Sequence, residues 1–191
     1  MSCAIIVHGT VGSGKTCTCL ELAERARAQG ITVGGILSIR AYQDTELIGY
    51  DGLDLASKEV FPLVRLRKVV DGPDWFLFGD LIYAFSVRGF ERANSILTHL
   101  ADTLSSSSII FIDEFGRLEK AGLGLYLGAS RVAERLKAGG IAIFTCRTDL
   151  VDAVEDLVHD KAESIIRFEP NNLEALWSTV LKYVDHAELN V

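Results

Sequence analysis

The chain has 191 residues, 49% of them apolar and 24% charged, a size suited to one domain and a composition that buries a core. Nineteen basic residues against 26 acidic ones leave a net charge of −7, which argues against nucleic acid or an anionic membrane as a partner. Four cysteines without paired spacing make no disulfide framework. The opening Met1-Ser-Cys-Ala-Ile-Ile-Val7 lacks the basic start and long apolar run of a signal peptide, and no stretch approaches the ~20 apolar residues of a membrane span. A cytoplasmic protein is expected.

In chain order, Ala4–Val7 reads as a buried strand, short and almost wholly apolar. Leu20–Ala28 has helical period and is closed by Gly30. From Thr32 to Gly79 the pattern changes to period-two patches at Ile36–Ile39, Leu47–Asp54 and Val60–Arg67, with Asp-Gly and Asp-Gly-Pro turn signals between them. This region, about 32–79, is expected to be an antiparallel hairpin-type insertion on the sheet edge rather than a second domain. Helical period returns over Arg88–Thr103, a polar loop follows at Ser105–Ser108, and Ile109–Ile112 is the second buried strand. A helix over Ala121–Ala138 ends at Gly139-Gly140, before the strand Ile141–Phe144. Asp149 is placed to cap a helix running to His159, Ser164–Phe168 reads as a last strand, and Pro170-Asn171-Asn172 opens a helix over Leu173–Val184. Such alternation predicts a single α/β domain over 1–191 with right-handed crossovers.

Gly9-Thr10-Val11-Gly12-Ser13-Gly14-Lys15-Thr16 fits G-x-x-x-x-G-K-[ST] (Walker A) at every position, between a buried strand and a helix. Glycines let the backbone wrap a phosphate with several N–H groups pointing inward, and the helix N-terminus adds a favourable dipole. Lys15 is expected to reach the β- and γ-phosphates and the Thr16 hydroxyl to ligate Mg²⁺. The strand Ile109–Ile112 leads into Asp113-Glu114, the form of a Walker B strand whose acids stand at the carboxyl edge where open α/β sheets bind ligands. Asp113 is the second metal contact, and Glu114 is suited to orient and activate a water aimed at the γ-phosphate.

With both elements placed, the chain resembles the thermophile-type nucleoside-triphosphatase family. Gly30-Ile-Thr-Val-Gly-Gly35 looks like that family's approach to its second strand, and Ile48-Gly-Tyr-Asp-Gly-Leu-Asp-Leu55 looks like its G-F-x-x-x-D-L segment. Asp113-Glu-Phe-Gly-Arg-Leu-Glu119 is similar to its D-E-I-G-K-M-E block, the most specific of these, and Phe168-Glu-Pro-Asn-Asn172 to its T-x-x-N-R run. Nearly the whole chain is covered, residues 57 to 90 least well. The resemblance implies a three-layer P-loop fold of RecA-like type and slow, Mg²⁺-dependent hydrolysis of several nucleoside triphosphates, ATP and GTP among them and CTP and UTP as further candidates. By the same resemblance Gly9 to Thr16 bind phosphate, Asp113 serves the metal, Glu114 is the base and Arg117 replaces a family lysine. Three positions depart from the family: Asn172-Leu173 stands where N-R is expected, Gln43-Asp44-Thr45-Glu46 replaces a basic turn, and Phe115 replaces an aliphatic residue.

Phosphoryl transfer needs positive charge near the γ-phosphate. Arg117 and Arg147, each just after a strand, are the candidates in cis, and Thr145 is either a donor to phosphate or water or a satisfied strand-end hydroxyl. Trp75, Phe76, Phe78, Tyr83, Phe85 and Phe90 suit a core or an interface better than a base-stacking platform. Arg65, Arg67 and Lys68 fit a solvated strand face better than a phosphate-clamping lid. Cys17 and Cys19, two apart on a helix, point to different faces and cannot share a metal. Cys3 and Cys146 read as small hydrophobes, and His8 as packing. His99, His159 and His186 have no ligand spacing. Besides hydrolysis, two classes stay open: a nucleotide or small-molecule kinase, and a nucleotide-dependent switch acting on a protein partner.

Overall fold

The computed structural model describes residues 1–103 and 108–184, so that most of the Ser105–Ser108 loop and His186 lie outside the described residues. One nine-stranded sheet organises the chain. Its parallel half is built from β1 (Ser2–His8), β7 (Ser108–Phe115), β8 (Gly140–Cys146) and β9 (Ser164–Phe168), together with the first residues of β2 (Thr32–Gln43). The spatial order there is β2-β7-β8-β1-β9.

These strands read as unbroken apolar runs because helices cover both faces. Cys3, Ile5 and Val7 of β1 and Ile109 and Phe111 of β7 pack on Leu22 and Ala26 of α1 (Lys15–Ala28) and on Leu176 and Val180 of α6 (Leu173–Tyr183). The alternate residues Ala4, Ile6, Ile110 and Ile112 face Leu97 of α2 (Val87–Thr103), Val132 of α4 (Tyr126–Arg135) and Val154 of α5 (Val151–Val158). Three layers result, which is the expected α/β architecture with a mostly parallel central sheet.

The region expected as an edge hairpin is joined more intimately to this core. Thr32–Ile36 of β2 pair parallel with Ser108–Ile112, and the same strand then continues to Gln43 and pairs antiparallel with β3 (Glu46–Asp54). β4 (Val60–Leu66), β6 (Tyr83–Ser86) and β5 (Trp75–Leu77) extend the sheet antiparallel from there. The wing therefore starts inside the parallel core and runs to Ser86. Asp51-Gly52, a turn signal by residue type, lies within β3, where a Cβ on Gly52 would meet the Phe61 ring at 2.9 Å. The β2–β3 turn is made instead by Asp44-Thr45, with Asp44 at φ 53°.

The helix expected over Ala121–Ala138 is broken. A single turn, α3 (Arg117–Lys120), ends in a connection where Gly122 (φ 77°) and Gly124 (φ 60°) are left-handed, and α4 begins only at Tyr126. Both carboxylate oxygens of the buried Glu119 hold this break, accepting from Gly116 N at 2.8 Å and Leu125 N at 2.9 Å. Asp149 does not cap α5; it sits in a 3₁₀ turn, Thr148–Leu150, and accepts from Arg147 Nε at 3.1 Å. Asn172 does cap α6, accepting from Ala175 N at 3.2 Å. Leu173, at the site of the family arginine, packs into the α1–α6 layer.

Candidate active site

The glycine-rich loop leaves β1 at the carboxyl edge of the sheet, tied to β8 by Gly9 N donating to Cys146 O at 3.3 Å. Gly12 (φ 78°) and Gly14 (φ 93°) take left-handed conformations, which lets α1 start directly at Lys15, five residues before its amphipathic period becomes visible at Leu20. Lys15 is only 5% exposed, and its ammonium donates to Thr10 O at 2.9 Å and Gly9 O at 3.3 Å. A buried ammonium hydrogen-bonded to carbonyls is a ready counter-charge for an anion. Ser13 Oγ is buried in the same loop with no partner among the described residues.

Asp113 is fully buried at the end of β7. Its Oδ2 accepts from the Thr16 hydroxyl at 2.8 Å and from Ser38 N at 2.8 Å, and its Oδ1 accepts from the Thr145 hydroxyl. Burial raises its carboxyl above the ordinary aspartate range, opposed by the bonds from Thr145, Ser38 and Thr16. Three strands and α1 thus converge on one carboxylate.

Glu114 follows in a left-handed conformation, φ 62°, strain of the kind that collects at functional sites. The register explains the need. Between the pairs Ile112↔Phe144 and Phe115↔Cys146, β7 advances three residues while β8 advances two, a β-bulge. In a regular strand neighbouring side chains point to opposite faces; here Asp113 and Glu114 line one cavity. Glu114 N donates to Thr145 Oγ1 at 2.9 Å, so that a single hydroxyl holds both acids. Thr145 is accordingly the satisfied strand-end hydroxyl of the two alternatives. The Glu114 side chain opens to solvent on its cavity side, yet the desolvating walls and the neighbouring Asp113 push its carboxyl up to about 7.

Arg117, the first residue of α3, and Arg147, paired with Asp149, are both exposed and both border the same cavity. The other basic run is engaged inside the wing: Arg65 pairs with Asp51 at 2.5 Å, Arg67 donates to Gly79 O at 2.5 Å and Lys68 faces Glu46 at 3.9 Å. Phe85 sits 5.5 Å from Phe76 and 6.3 Å from Phe90, in the core as expected. Phe115 is buried against Phe144 and forms part of the cavity wall. His8 approaches Thr148 Oγ1 at 3.5 Å. Cys17 is exposed and Cys19 buried, on different faces of α1, and burial pushes the thiols of Cys3 and Cys146 up to about 12. Ser38 N, a backbone donor from the wing's first strand, and Glu119, which fixes the loop after Glu114, are the contributors sequence reasoning missed. Glu119 stands in the D-E-F-G-R-L-E block, but nothing in the sequence marks Ser38.

Fold and loop together define a protein of the P-loop class. The model of the NTPase family matches residues 4–181, and the chain belongs to that family; it is an enzyme, a hydrolase. It is 24% identical to the nucleoside-triphosphatase THEP1 of Methanopyrus kandleri over 182 residues, 94% of each chain. The solution structure of a human cancer-related nucleoside triphosphatase superposes with a TM-score of 0.67 over 95% of each chain at 19% identity, a likeness of fold. No helix among the described residues is long and apolar enough to cross a membrane.

Proposed function

We propose that the protein hydrolyses nucleoside 5'-triphosphates to diphosphate and phosphate in a Mg²⁺-dependent reaction, with a water activated by Glu114. The observation that carries this reading is the convergence of the Thr16 hydroxyl and the Asp113 carboxylate, 2.8 Å apart, between the glycine-rich loop and the bulge that presents Glu114. A hydroxyl and a carboxylate are the hard oxygen donors Mg²⁺ takes when phosphates and waters complete its shell, so these two residues would hold it. Bound there, the ion would neutralise charge on the phosphates.

The loop N–H groups of Gly9 to Thr16 and the Lys15 ammonium bind the phosphate chain, Lys15 exchanging its carbonyl partners for phosphate oxygens. Glu114 orients the attacking water and takes its proton. Arg117 supplies positive charge from the cavity rim, with Arg147 beside it. A grip directed at phosphates suits broad base tolerance, and the use of nucleoside triphosphates suits a cytoplasmic location.

Steady-state phosphate release from ATP, GTP, CTP and UTP, with and without Mg²⁺, tests the reading. Turnover should require the metal, disappear in Lys15→Ala, and fall about 10²-fold or more in Glu114→Gln while nucleotide binding persists. Unchanged phosphate release in Glu114→Gln would remove Glu114 as the base.

A further inference from the structure

Beside Glu114 the cleft widens into a cavity of about 380 Å³, within the range of small-molecule sites. The wing forms one wall through Leu63, Val64 and Phe85, and the end of β7 and α3 form the other through Phe115 and Leu118. These walls have no evident use in gripping a triphosphate, which is polyanionic and hydrated. The connection from β9 to α6 is on the other flank of the glycine-rich loop, where Thr18 Oγ1 donates to Pro170 O at 2.7 Å, and contributes nothing to the cavity lining. The cavity lies on the wing side of the sheet edge, beyond Asp113 when followed from β1 through β8 to β7.

The charged residues lining this chamber are Asp113, Glu114 and Glu119, with Arg117 and Arg147 exposed. Both oxygens of Asp113 and of Glu119 already accept hydrogen bonds, which leaves the exposed Glu114 carboxylate as the acceptor facing the chamber. A ligand that lies along apolar walls and bonds to that acceptor without carrying a charge into them ends in a neutral donor, a hydroxyl. The edge-to-face pair Tyr50 and Tyr83, with ring centroids 6.1 Å apart, adds flat apolar surface close to the acids.

We propose that this cavity binds a second small molecule, a compact apolar alcohol of about the size of a two-ring aromatic, with its hydroxyl at Glu114 so that it accepts the terminal phosphoryl group in place of water. The alcohol oxygen forms a bond to the terminal phosphorus as the bond from phosphorus to the bridging oxygen of the diphosphate breaks. That electron pair leaves with the nucleoside diphosphate, and the hydroxyl proton passes to the Glu114 carboxylate and on to solvent. The products are a phosphate monoester and a nucleoside diphosphate. The transfer step rests on the proposed role of Glu114 above; the binding site does not.

Calorimetric titration of the nucleotide-free protein with 2-naphthol, geraniol and 4-tert-butylbenzyl alcohol tests the site. At least one should bind saturably, and the binding should be lost in Leu81→Trp and Val64→Trp, which fill the cavity from two walls, with melting curves confirming that each variant folds. With ATP and Mg²⁺ present, ³¹P NMR should show the organic monophosphate beside inorganic phosphate, and Glu114→Gln should remove it. No saturable binding by any of the three alcohols, or binding that survives in a folded cavity-filled variant, overturns the site. Saturable binding with inorganic phosphate as the sole released product overturns the transfer. Should phosphate release itself persist in Glu114→Gln, the role of Glu114 fails while the titration still decides the cavity.

Discussion

Along the parallel half of the sheet, each group of the proposed site stands where a strand ends and the chain turns: Gly9 to Thr16 after β1, Asp113 and Glu114 at the end of β7, Thr145 at the end of β8. Along the antiparallel wing the polar side chains mostly bond to one another, as Arg65 does to Asp51 and to the carbonyls of Tyr50 and Val64. The wing contributes apolar surface and one backbone N–H, that of Ser38, to the site. Parallel strands release their chain at a common edge and so gather chemistry there, whereas a meander alternates its ends and builds a wall.

The contrast predicts that substitutions in the two regions change different observables. Thr145→Val keeps the side-chain shape but removes the hydroxyl that holds Asp113 and Glu114. We expect kcat to fall by up to about 10²-fold, the scale of misplacing a reacting group by about 1 Å, with KM for nucleotide little changed and Thr145→Ser restoring most of the loss. An unaltered kcat would break the link between the bulge and turnover. Arg65→Met leaves Asp51 largely buried and unpaired, which costs about 1–3 kcal/mol and lowers Tm by about 2–12 °C for a chain of this size, while kcat holds. A large loss of kcat at unchanged Tm would place the wing's ion pair in the catalytic machinery and dissolve the division.

The smallest effect sharpens the comparison, because an exposed ion pair should count for little in either region. Arg167 on β9 donates to both oxygens of Glu155 on α5 at 2.6 Å, which lowers the Glu155 carboxyl below the ordinary glutamate range. Its contribution is therefore present above the unfolded value and is lost as pH falls through the lowered folded one. Glu155→Gln should lower Tm slightly in the neutral region, by the equivalent of well under 1 kcal/mol, and leave the acid end, where the contribution is already lost, unmoved, so that the acid side of a Tm-against-pH curve becomes slightly flatter.

The site's groups were legible where function depends on a contiguous run. Gly9 to Thr16 and Ile109 to Glu114 declare themselves because a phosphate cradle needs its glycines adjacent, and a buried strand must be apolar up to its last acid. Most strands and the start of α2 were legible for the same local reason. The start of α1 was not, because the first turn of that helix serves the loop instead of the core and shows no amphipathic period before Leu20. The break at Gly122 and Gly124 was hidden because apolar spacing continues across it, and its buried support, Glu119, lies before the stretch with helical period. Asp51-Gly52 imitated a turn because the missing side chain accommodates a cross-strand ring. The double use of β2 was illegible in principle: one edge of Thr32–Ile36 is filled by a strand that comes more than seventy residues later, a relation no local pattern records.

That double use also sets an order of assembly. The antiparallel partner of β2 follows after a two-residue turn, Asp44-Thr45, whereas its parallel partner β7 returns only after the whole wing and α2. Closing a short loop costs less chain entropy than closing a long one, and hairpins form in microseconds. The β2–β3 hairpin is therefore the early structure, standing ready with an unpaired edge when β7 arrives. β7 brings Asp113 to Ser38 as it docks on that waiting edge, so the bond between wing and core follows the hairpin.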